Sequence, residues 1–572
     1  MRNDEIASAL YMIAELLELS GDEDRFRPIS YRRAARAIES EAEDVGALAR
    51  EGRLTQIPGV GKGIAAKIEE FLRAGKIGEL EALRAQFPPG LLEIMRIPDI
   101  GPKTARRLHL ELGVKSLEDL RTVALQGRLR ALKGFGEKSE QNVLKGIGLV
   151  ESAKGQNLLG IVLPIAEQIV EHVRTHASVD HVAYGGSVRR MKESVGDCDI
   201  LVTTTDPAAA TKAFLSFPMV REVVMSGDTK STVVVSIGGE RLQVDLRVLE
   251  PRSWGSGLQY FTGSKDHNIK VRTMAAKVGL KLNEYGVFRG DERAAGSTEE
   301  EVYATLGLPY IEAELREDAG EIEAALSGAL PDLVTMGDIR GDLHAHTNLT
   351  DGVNTVEEMA AAAAARGYEY LGISDHSPSL RVANGLSEEH LRIHVAHIRE
   401  FNRQTAGIRL LAGTECDILA DGTLDYPDPV LKDLDYVIGS VHSNFKMPEK
   451  EMMARVLRAM ENEHMDILAH PTTRKIGQRE PIQLNMERLA KAAADTGTVL
   501  EINGYPDRMD LSGPQARLAR EHGAKLIVNT DSHTTEQLWF MRLAVGSARR
   551  GWLGKEDVVN TMPHKEILRF LA

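Results

Sequence analysis

Over the first 150 residues apolar side chains recur at helical spacing, as in IASALYMIAELLEL and YRRAARAIES, and predict packed helices. Beyond that point the period changes. NLLGIVLPIAEQIVEHVRTH reads as one long helix, with Pro164 expected to kink it, and VDHVAYG reads as a strand. The run DCDILV, starting at Asp197, has the look of a buried strand, and TKSTVVVSIGGERLQVDLRVL that of a hairpin turning at Gly238-Gly239. Together they predict a mixed sheet with helices behind it. After the connector AGEIEAALSGALPDLVTMGDIR come short apolar runs, LGISDHS, LLAGTEC, YVIGSVHS, DILAHP, VLEING and LIVNTDSHT, separated by helical stretches such as TVEEMAAAAAARG and MERLAKAAADTG. Strand and helix in alternation, with polar residues closing each strand, predict a (β/α) barrel with its site on the C-terminal rim.

A chain of 572 residues exceeds a single core, so several domains are expected. Apolar content of 42% and charged content of 27% are ordinary for globular protein. No stretch is apolar and long enough to span a bilayer, and MRNDEIASAL lacks a signal-peptide core. Two cysteines, Cys198 and Cys416, cannot form a disulfide framework, which fits a reducing cytoplasm. A net charge of −14 does not exclude nucleic acid, because acids gathered around cations count in the sum but not in the field. Arg32-Arg33, Arg106-Arg107 and Arg189-Arg190 remain as local basic clusters.

The densest chemistry lies between Gly185 and Val202. Strand alternation puts Asp197 and Asp199 on one face, where two carboxylates repel unless a cation joins them. Oxygen ligands with room for phosphates suit Mg²⁺. Upstream, Gly185-Gly186-Ser187 can turn backbone N–H groups toward a phosphate, with an arginine close behind. A third acid, Asp245, stands on the alternating strand LQVDL. A lone D-x-D is often a solvated strand edge; with the glycine turn and the third acid it reads as a nucleotidyl-transfer site.

The N-terminal helices carry three related hairpins. They are Ile57-Pro58-Gly59-Val60-Gly61-Lys62-Gly63, Ile97-Pro98-Asp99-Ile100-Gly101-Pro102-Lys103-Thr104, and a looser Leu132-Lys133-Gly134-Phe135-Gly136-Glu137-Lys138, each leading into a helix. Such helix-hairpin-helix motifs present backbone N–H groups at a helix start and bind phosphate without reading bases. Glycine permits positive φ and close approach of a DNA backbone. One copy is a plain turn between packed helices. Three copies predict non-specific DNA contacts at Gly59, Gly61, Lys62, Gly101, Lys103, Thr104, Gly134 and Gly136.

Taken with Tyr260-Phe261-Thr262-Gly263-Ser264, Asn268 and Arg272, these features make most of residues 1–320 resemble the family X DNA polymerases of the nucleotidyltransferase superfamily. The resemblance implies that Asp197, Asp199 and Asp245 are catalytic and hold two Mg²⁺ or Mn²⁺ ions, Asp245 on the primer side. It implies that Gly186, Ser187, Arg190 and Gly196 bind the phosphates of an incoming dNTP. Tyr260, Phe261 and Gly263 then lie along its sugar, and Asn268 and Arg272, one helical turn apart, face the nascent pair and template. Lys67 falls where repair relatives carry a Schiff-base lysine for 5′-deoxyribose phosphate, although Gly63 replaces a lysine that accompanies it there; a solvated helical lysine is the alternative. Gln243 stands for an arginine beside the third acid, and Val195 for a phosphate-binding serine.

The C-terminal runs each end in His, Asp or Glu, among them Asp375 and Glu501, and so many at one rim suit first-row metal ions. This part resembles the PHP (polymerase and histidinol phosphatase) domain, usually a distorted (β/α)7 barrel. The resemblance implies His344, His346, Asp351, His376, Glu415, His442, His470, Asp531 and His533 as ligands for up to three divalent ions, Mn²⁺, Zn²⁺ or Fe²⁺. Metal-assisted phosphoester hydrolysis follows, with a DNA 3′ end as the natural substrate of a domain joined to a polymerase.

The expected fold is multidomain: an α-helical helix-hairpin-helix region, an α+β nucleotidyltransferase palm with thumb, and the barrel. Expected boundaries are residues 1–80 for an N-terminal DNA-binding domain, 81–150 for a fingers-like subdomain, 151–262 for the palm, 263–319 for the thumb, 320–339 for a linker, and 340–572 for the PHP domain. The function expected is gap filling in DNA repair, with 3′–5′ exonuclease activity and the abasic-site cleavage and 3′-phosphate removal the resemblance adds. Expected partners are gapped or nicked double-stranded DNA and dNTPs, with no membrane, and the chain is expected to be a monomer. Two other readings are a DNA-recruited phosphoesterase with a weak polymerase, and a DNA-end binding scaffold.

Overall fold

Apolar residues four and three apart, Ile6, Leu10, Ile13 and Leu17, are buried along the helix Arg2–Ser20, which packs on the helix Phe26–Glu39. The computed structural model describes residues 2–21, 26–39, 45–97, 100–152, 155–237 and 240–571. By its internal packing the chain divides into two compact units. One comprises Met1–Gln156 with Ile237–Glu240 and Lys475–Glu480; the other comprises Asn157–Ser236, Arg241–Arg474 and Pro481–Ala572. Pro98 and Asp99 of the second hairpin, and the Gly238-Gly239 turn, lie outside the described residues.

The first unit is helical, with one core running from Ile6 to Val150. Its hairpin helices are punctuated as their sequences dictate. Lys62–Ala74 starts at Gly61 and stops at Gly75, which takes φ 68°, while Pro102–Leu112 has proline in its first turn and stops at Gly113, φ 73°. Only some hairpin glycines use positive φ: Gly59 (81°) and Gly134 (95°) do, whereas Gly61 and Gly101 are extended N-caps at −80° and −79°. A Cβ on Gly61, Gly101, Gly134 or Gly136 would meet nothing within 4 Å, so these positions leave open surface above each helix start.

In the second unit the helix Leu159–His176 runs on through Pro164. It packs on a five-stranded sheet in which Asp197–Thr203 lies between His181–Tyr184 and Glu240–Leu249, followed outward by Lys230–Ile237 and Val220–Ser226. Asp197–Thr203 pairs antiparallel with the first neighbour and parallel with the second, giving the expected mixed sheet. The segment 320–339 is more than a linker. Glu321 is fully buried and bonded to His267 Nδ1 (2.6 Å), Ile322 and Ala325 join the core around Val302 and Tyr303, and Val334 and Ile339 join the C-terminal core. Its apolar residues recur at core-facing spacing, and that holds it down.

The C-terminal part has a three-stranded and a five-stranded parallel sheet, with a helix between most strands. Isolated parallel bridges join Ala345 to Ser532 and His376 to Glu415. Among the described residues no helix is long and apolar enough to cross a membrane.

Candidate functional site

In the palm, alternation buries Cys198 and turns Asp197 and Asp199 to the other face. The parallel register sets Asp199 opposite Asp245 and Asp197 opposite Gln243. Burial, then Asp197 and Asp245, push Asp199 up to about 7. Asp245 goes the other way. Burial opposes its ionisation, yet hydrogen bonds from Lys230 Nζ (2.9 Å) and Thr232 Oγ1 (2.8 Å), with the charges of Lys230 and of Arg247 at 3.9 Å, hold it below the usual carboxylate range; Gln243 Nε2 also donates to it at 3.2 Å. Lys230 thus supplies the cation that Gln243 does not. Sequence reading missed it, although it sits two residues from Thr232 on the neighbouring strand.

Gly186 opens the four-residue helix Gly186–Arg189 at φ 63°, and a Cβ there would lie 3.4 Å from Asp199 Oδ2. Gly186 is therefore brought against Asp199, and Ser194–Val195, paired with Asn157–Leu158, leads into Gly196. Arg190 is already engaged: its Nε donates to Glu317 Oε1 (2.9 Å) and its Nη1 to the Thr262 carbonyl (2.7 Å). Arg189 is held by Glu299 at 2.6 Å, which also takes Arg316. Tyr260 and Phe261 end the helix Trp254–Thr262, and Gly263 stops it. Asn268, on the helix Lys265–Lys277, donates to the Tyr260 carbonyl (2.7 Å) and lies so near that a Cβ on Gly263 would meet its Oδ1 at 2.7 Å. Arg272 is exposed one turn on.

In the first unit, Lys67 Nζ lies 2.8 Å from Glu79 Oε2, where Tyr31 OH (2.8 Å) and, on Oε1, Arg27 (2.6 Å) also converge. A carboxylate thus occupies the approach that a nucleophilic amine needs. Lys62 and Lys103 are exposed at their helix starts, with Thr104 half-buried beside them.

The C-terminal centre draws together all nine ligand-type residues. His344 and His346 follow Gly341–Asp342, His376 follows Tyr370–Ile373, and Glu415 opens Glu415–Asp417. His442 follows Ile438–Ser440, His470 follows Ile467–Leu468, and Asp531 and His533 follow Leu526–Asn529. Eight of the nine sit at or just past a strand terminus, and Asp351 lies on the loop that leads into the helix Val356–Ala365. Glu415 faces five imidazoles: His470 (2.9 Å), His376 (3.0 Å), His442 (3.2 Å), His344 (3.4 Å) and His346 (3.5 Å). Asp531 lies 3.2 Å from His346, and Asp351 lies 3.4 Å from both His376 and His533. Asp531 and His470 take positive φ, 57° and 28°, a backbone cost that collects at functional positions.

These residues fit divalent cations. Among the described residues, groups with ligand atoms within 4.8 Å of one another are His346, Asp351, His376 and His533; His344, His346, Glu415 and Asp531; and His376, Glu415 and His442. His344 Nε2, both His346 nitrogens, Asp351 Oδ1, His376 Nδ1, Glu415 Oε2 and His470 Nδ1 are buried without a hydrogen-bond partner. Each such atom costs about 1–3 kcal/mol unless something satisfies it. Outer groups fix the ligands: Glu501 bonds His344 Nδ1 (2.7 Å) and the His470 N–H (2.7 Å), and Asp417 bonds His442 Nδ1 (2.5 Å). Asp375 accepts from Thr347 (2.8 Å), and Arg508 lies 3.6 Å from Asp531. The palm acids form no such group, although burial and the neighbouring carboxylates Asp197 and Asp245 raise Asp199 despite the charges of Arg247 and Lys230.

Comparison with known proteins agrees with this geometry. Residues 257–317 match the DNA polymerase beta thumb, 1–77 a helix-hairpin-helix domain, 52–113 and 91–148 a SAM-like helix-hairpin-helix tandem, and 342–504 the PHP domain. A Bacillus subtilis protein named DNA polymerase/3'-5' exonuclease PolX is 38% identical over 100% of this chain and 99% of its own length. DNA polymerase lambda of Rattus norvegicus is 27% identical over 54% of this chain and 55% of its own. A probable phosphatase of Acetivibrio thermocellus is 29% identical over 34% of this chain and 78% of its own. With a full-length relative, a polymerase thumb and a PHP domain in one polypeptide, the chain belongs to the bacterial family X DNA polymerases that carry a C-terminal PHP domain.

Proposed function

We propose that this chain fills short gaps in DNA and removes nucleotides from DNA 3′ ends at its C-terminal centre. The parallel register that sets Asp199 opposite Asp245, with Gly186 against Asp199, carries the first half of that reading. The primer 3′-oxygen attacks the α-phosphorus of a dNTP and pyrophosphate leaves. Asp197 and Asp199 hold two Mg²⁺ or Mn²⁺ ions, with Asp245 on the primer side, and the ions supply charge neutralisation and easier deprotonation of the hydroxyl. Gly186, Ser187, Gly196 and Arg190 receive the triphosphate, Arg190 after leaving Glu317. Tyr260, Phe261 and Gly263 line the sugar, and Asn268 and Arg272 face the nascent pair. The exposed hairpin glycines, with Lys62, Lys103 and Thr104, hold the backbone of gapped or nicked DNA.

In the C-terminal domain the two parallel sheets close as a distorted (β/α)7 barrel. Its nine ligands hold up to three divalent ions, Mn²⁺, Zn²⁺ or Fe²⁺, which supply Lewis-acid chemistry for phosphodiester hydrolysis. Glu501 and Asp417 orient the imidazoles, and the half-buried Asp351 and His533 mark the side open to a 3′ end. Abasic-site cleavage and 3′-phosphate removal are further reactions the same centre supports. Lys67 serves a 5′-deoxyribose phosphate only if Glu79 releases it. The enzyme works in the cytoplasm as a monomer.

A 5′-labelled primer on a one-nucleotide gap, with Mn²⁺ and with or without dNTPs, tests the assignment. Wild type extends with dNTPs and shortens without them; Asp197→Ala loses only extension and His344→Ala only shortening. Unchanged extension in Asp197→Ala would refute the palm assignment. A primer that no form shortens would mean that the C-terminal centre acts on other phosphoesters.

A further inference from the structure

Arg190 and Met191 are gripped by a helix of the C-terminal domain. Arg550, last residue of the helix Met541–Arg550, donates from one nitrogen, Nη1, to Glu317 Oε1 (2.9 Å) and to the Arg190 carbonyl (2.9 Å). Glu317 Oε1 is the same atom that accepts from Arg190 Nε at 2.9 Å. Arg550 is well placed to keep this geometry: a Cβ on Gly513 would lie 2.6 Å from the Arg550 Cβ, so its stem is wedged. One turn earlier Gly546 leaves a notch. A Cβ there would lie 2.6 Å from Met191 Cε, and Met191 takes φ 54°, a conformation rare for its residue type. Beyond Met191, Arg474 Nη2 reaches Glu193 Oε1 at 3.4 Å.

Charge counting over the three side chains shows what the second arginine does. Arg190, Arg550 and Glu317 sum to one positive charge, and their exposures are 9%, 8% and 23%. If Arg190 leaves for a phosphate, Arg550 and Glu317 remain as a neutral buried pair. Were Arg550 absent, the same departure would strand Glu317 as an unpaired, half-buried anion, and that is costly. The two arginines together keep Glu317 ionised against its burial.

We propose that Arg550 is a positioning residue for the incoming nucleotide: it neutralises Glu317 so that Arg190 can turn to the triphosphate. The inference rests on the reading of Arg190 as a triphosphate ligand. It makes the C-terminal domain part of the polymerase's nucleotide site through a residue that touches no nucleotide.

Single-turnover and steady-state gap filling on the full chain, varying one complementary dNTP, tests this. Arg550→Gln should raise KM for the dNTP by roughly tenfold, with kcat within about twofold. Glu317→Gln added to it should return KM to within about threefold of wild type, because the stranded anion is gone. A merely structural role predicts the reverse, since a second buried substitution would worsen the first. Arg550→Lys keeps one charge and one donating nitrogen and should fall between wild type and Arg550→Gln. If Arg550→Gln does not fold, Arg550→Lys with and without Glu317→Gln reads the same cycle. An unchanged KM in Arg550→Gln, or no recovery in the double variant, overturns the proposal. Arg190→Gln separates the two levels: if it leaves KM unchanged, the underlying reading of Arg190 is wrong, whereas a raised KM there beside a normal Arg550→Gln sinks this inference alone.

Discussion

Asp245 in the palm accepts from Thr232 and Gln243 and pairs with Lys230, whereas Glu415 in the C-terminal centre faces five imidazoles and leaves Oε2 without a hydrogen-bond partner. The acids of the first site stand on two adjacent strands of one sheet, with partners supplied by the same sheet. Ligands of the second arrive from separate strand ends and meet each other. Asp245 of the palm thus finds its partners within its own sheet. The C-terminal centre gathers buried lone pairs with no hydrogen-bond partner among the described residues, and divalent ions would satisfy them.

Glu415→Gln should break that contrast most forcefully. The amide puts N–H donors or a neutral oxygen where five imidazoles meet, so divalent metal content and 3′-end shortening should both fall by more than the roughly 100-fold that loss of an outer partner can cost. Extension should be retained. Full metal content by elemental analysis in this variant would contradict Glu415 as the hub.

Glu501→Gln sharpens the comparison at a lower magnitude. It removes the negative charge and one of the two acceptor oxygens that serve His344 and the His470 N–H, while leaving all nine ligand-type residues in place, and affinity for the metal should drop by roughly 10–100-fold. Excess Mn²⁺ should restore shortening. If excess metal restores nothing, Glu501 does more than orient His344.

How much of this was legible in the sequence depended on the range of the forces involved. Local patterns carried the helices, the strand pair of Asp199 and Asp245, and the strand-end histidines, because period and turn chemistry act within a few residues. The nine C-terminal residues fell together in space as the resemblance implied. Contacts across long separations were not legible. Nothing near Arg190 announces Glu317 or Arg550, and Lys67 gives no sign of Glu79. Segment 320–339 looked like a connector because Gly328, Pro331 and Gly337 interrupt it, yet Ile322, Ala325, Val334 and Ile339 dock. The hairpin glycines divide in a way composition cannot show: Gly59 takes a left-handed φ of 81°, whereas Gly61 is an extended N-cap with open space where a Cβ would stand.

The mildest expected effect concerns Lys230, whose replacement tests whether the palm's internal cation matters. Burial acts to raise Asp245, and the Lys230 and Thr232 hydrogen bonds outweigh it, so the carboxyl sits below its usual range in the folded protein. Lys230→Met removes the larger of those bonds and leaves burial, so Asp245 moves up. Extension needs Asp245 ionised, and the acid limb of its pH–rate profile should therefore shift to higher pH, with rates well above the limb changing by about threefold or less. Stability follows the same sign. A depressed carboxyl contributes stability that is present above its unfolded value of about 3.9 and is lost as pH falls through the folded one, so the variant should lose part of that increment near neutrality. Asp199 is the opposite case: raised to about 7, it costs stability progressively between roughly pH 4 and 7 in metal-free protein, and Mg²⁺ should cancel that slope. An acid limb that stays where it was in Lys230→Met would mean that Thr232, Gln243 and the nearby Arg247 charge hold Asp245 without Lys230.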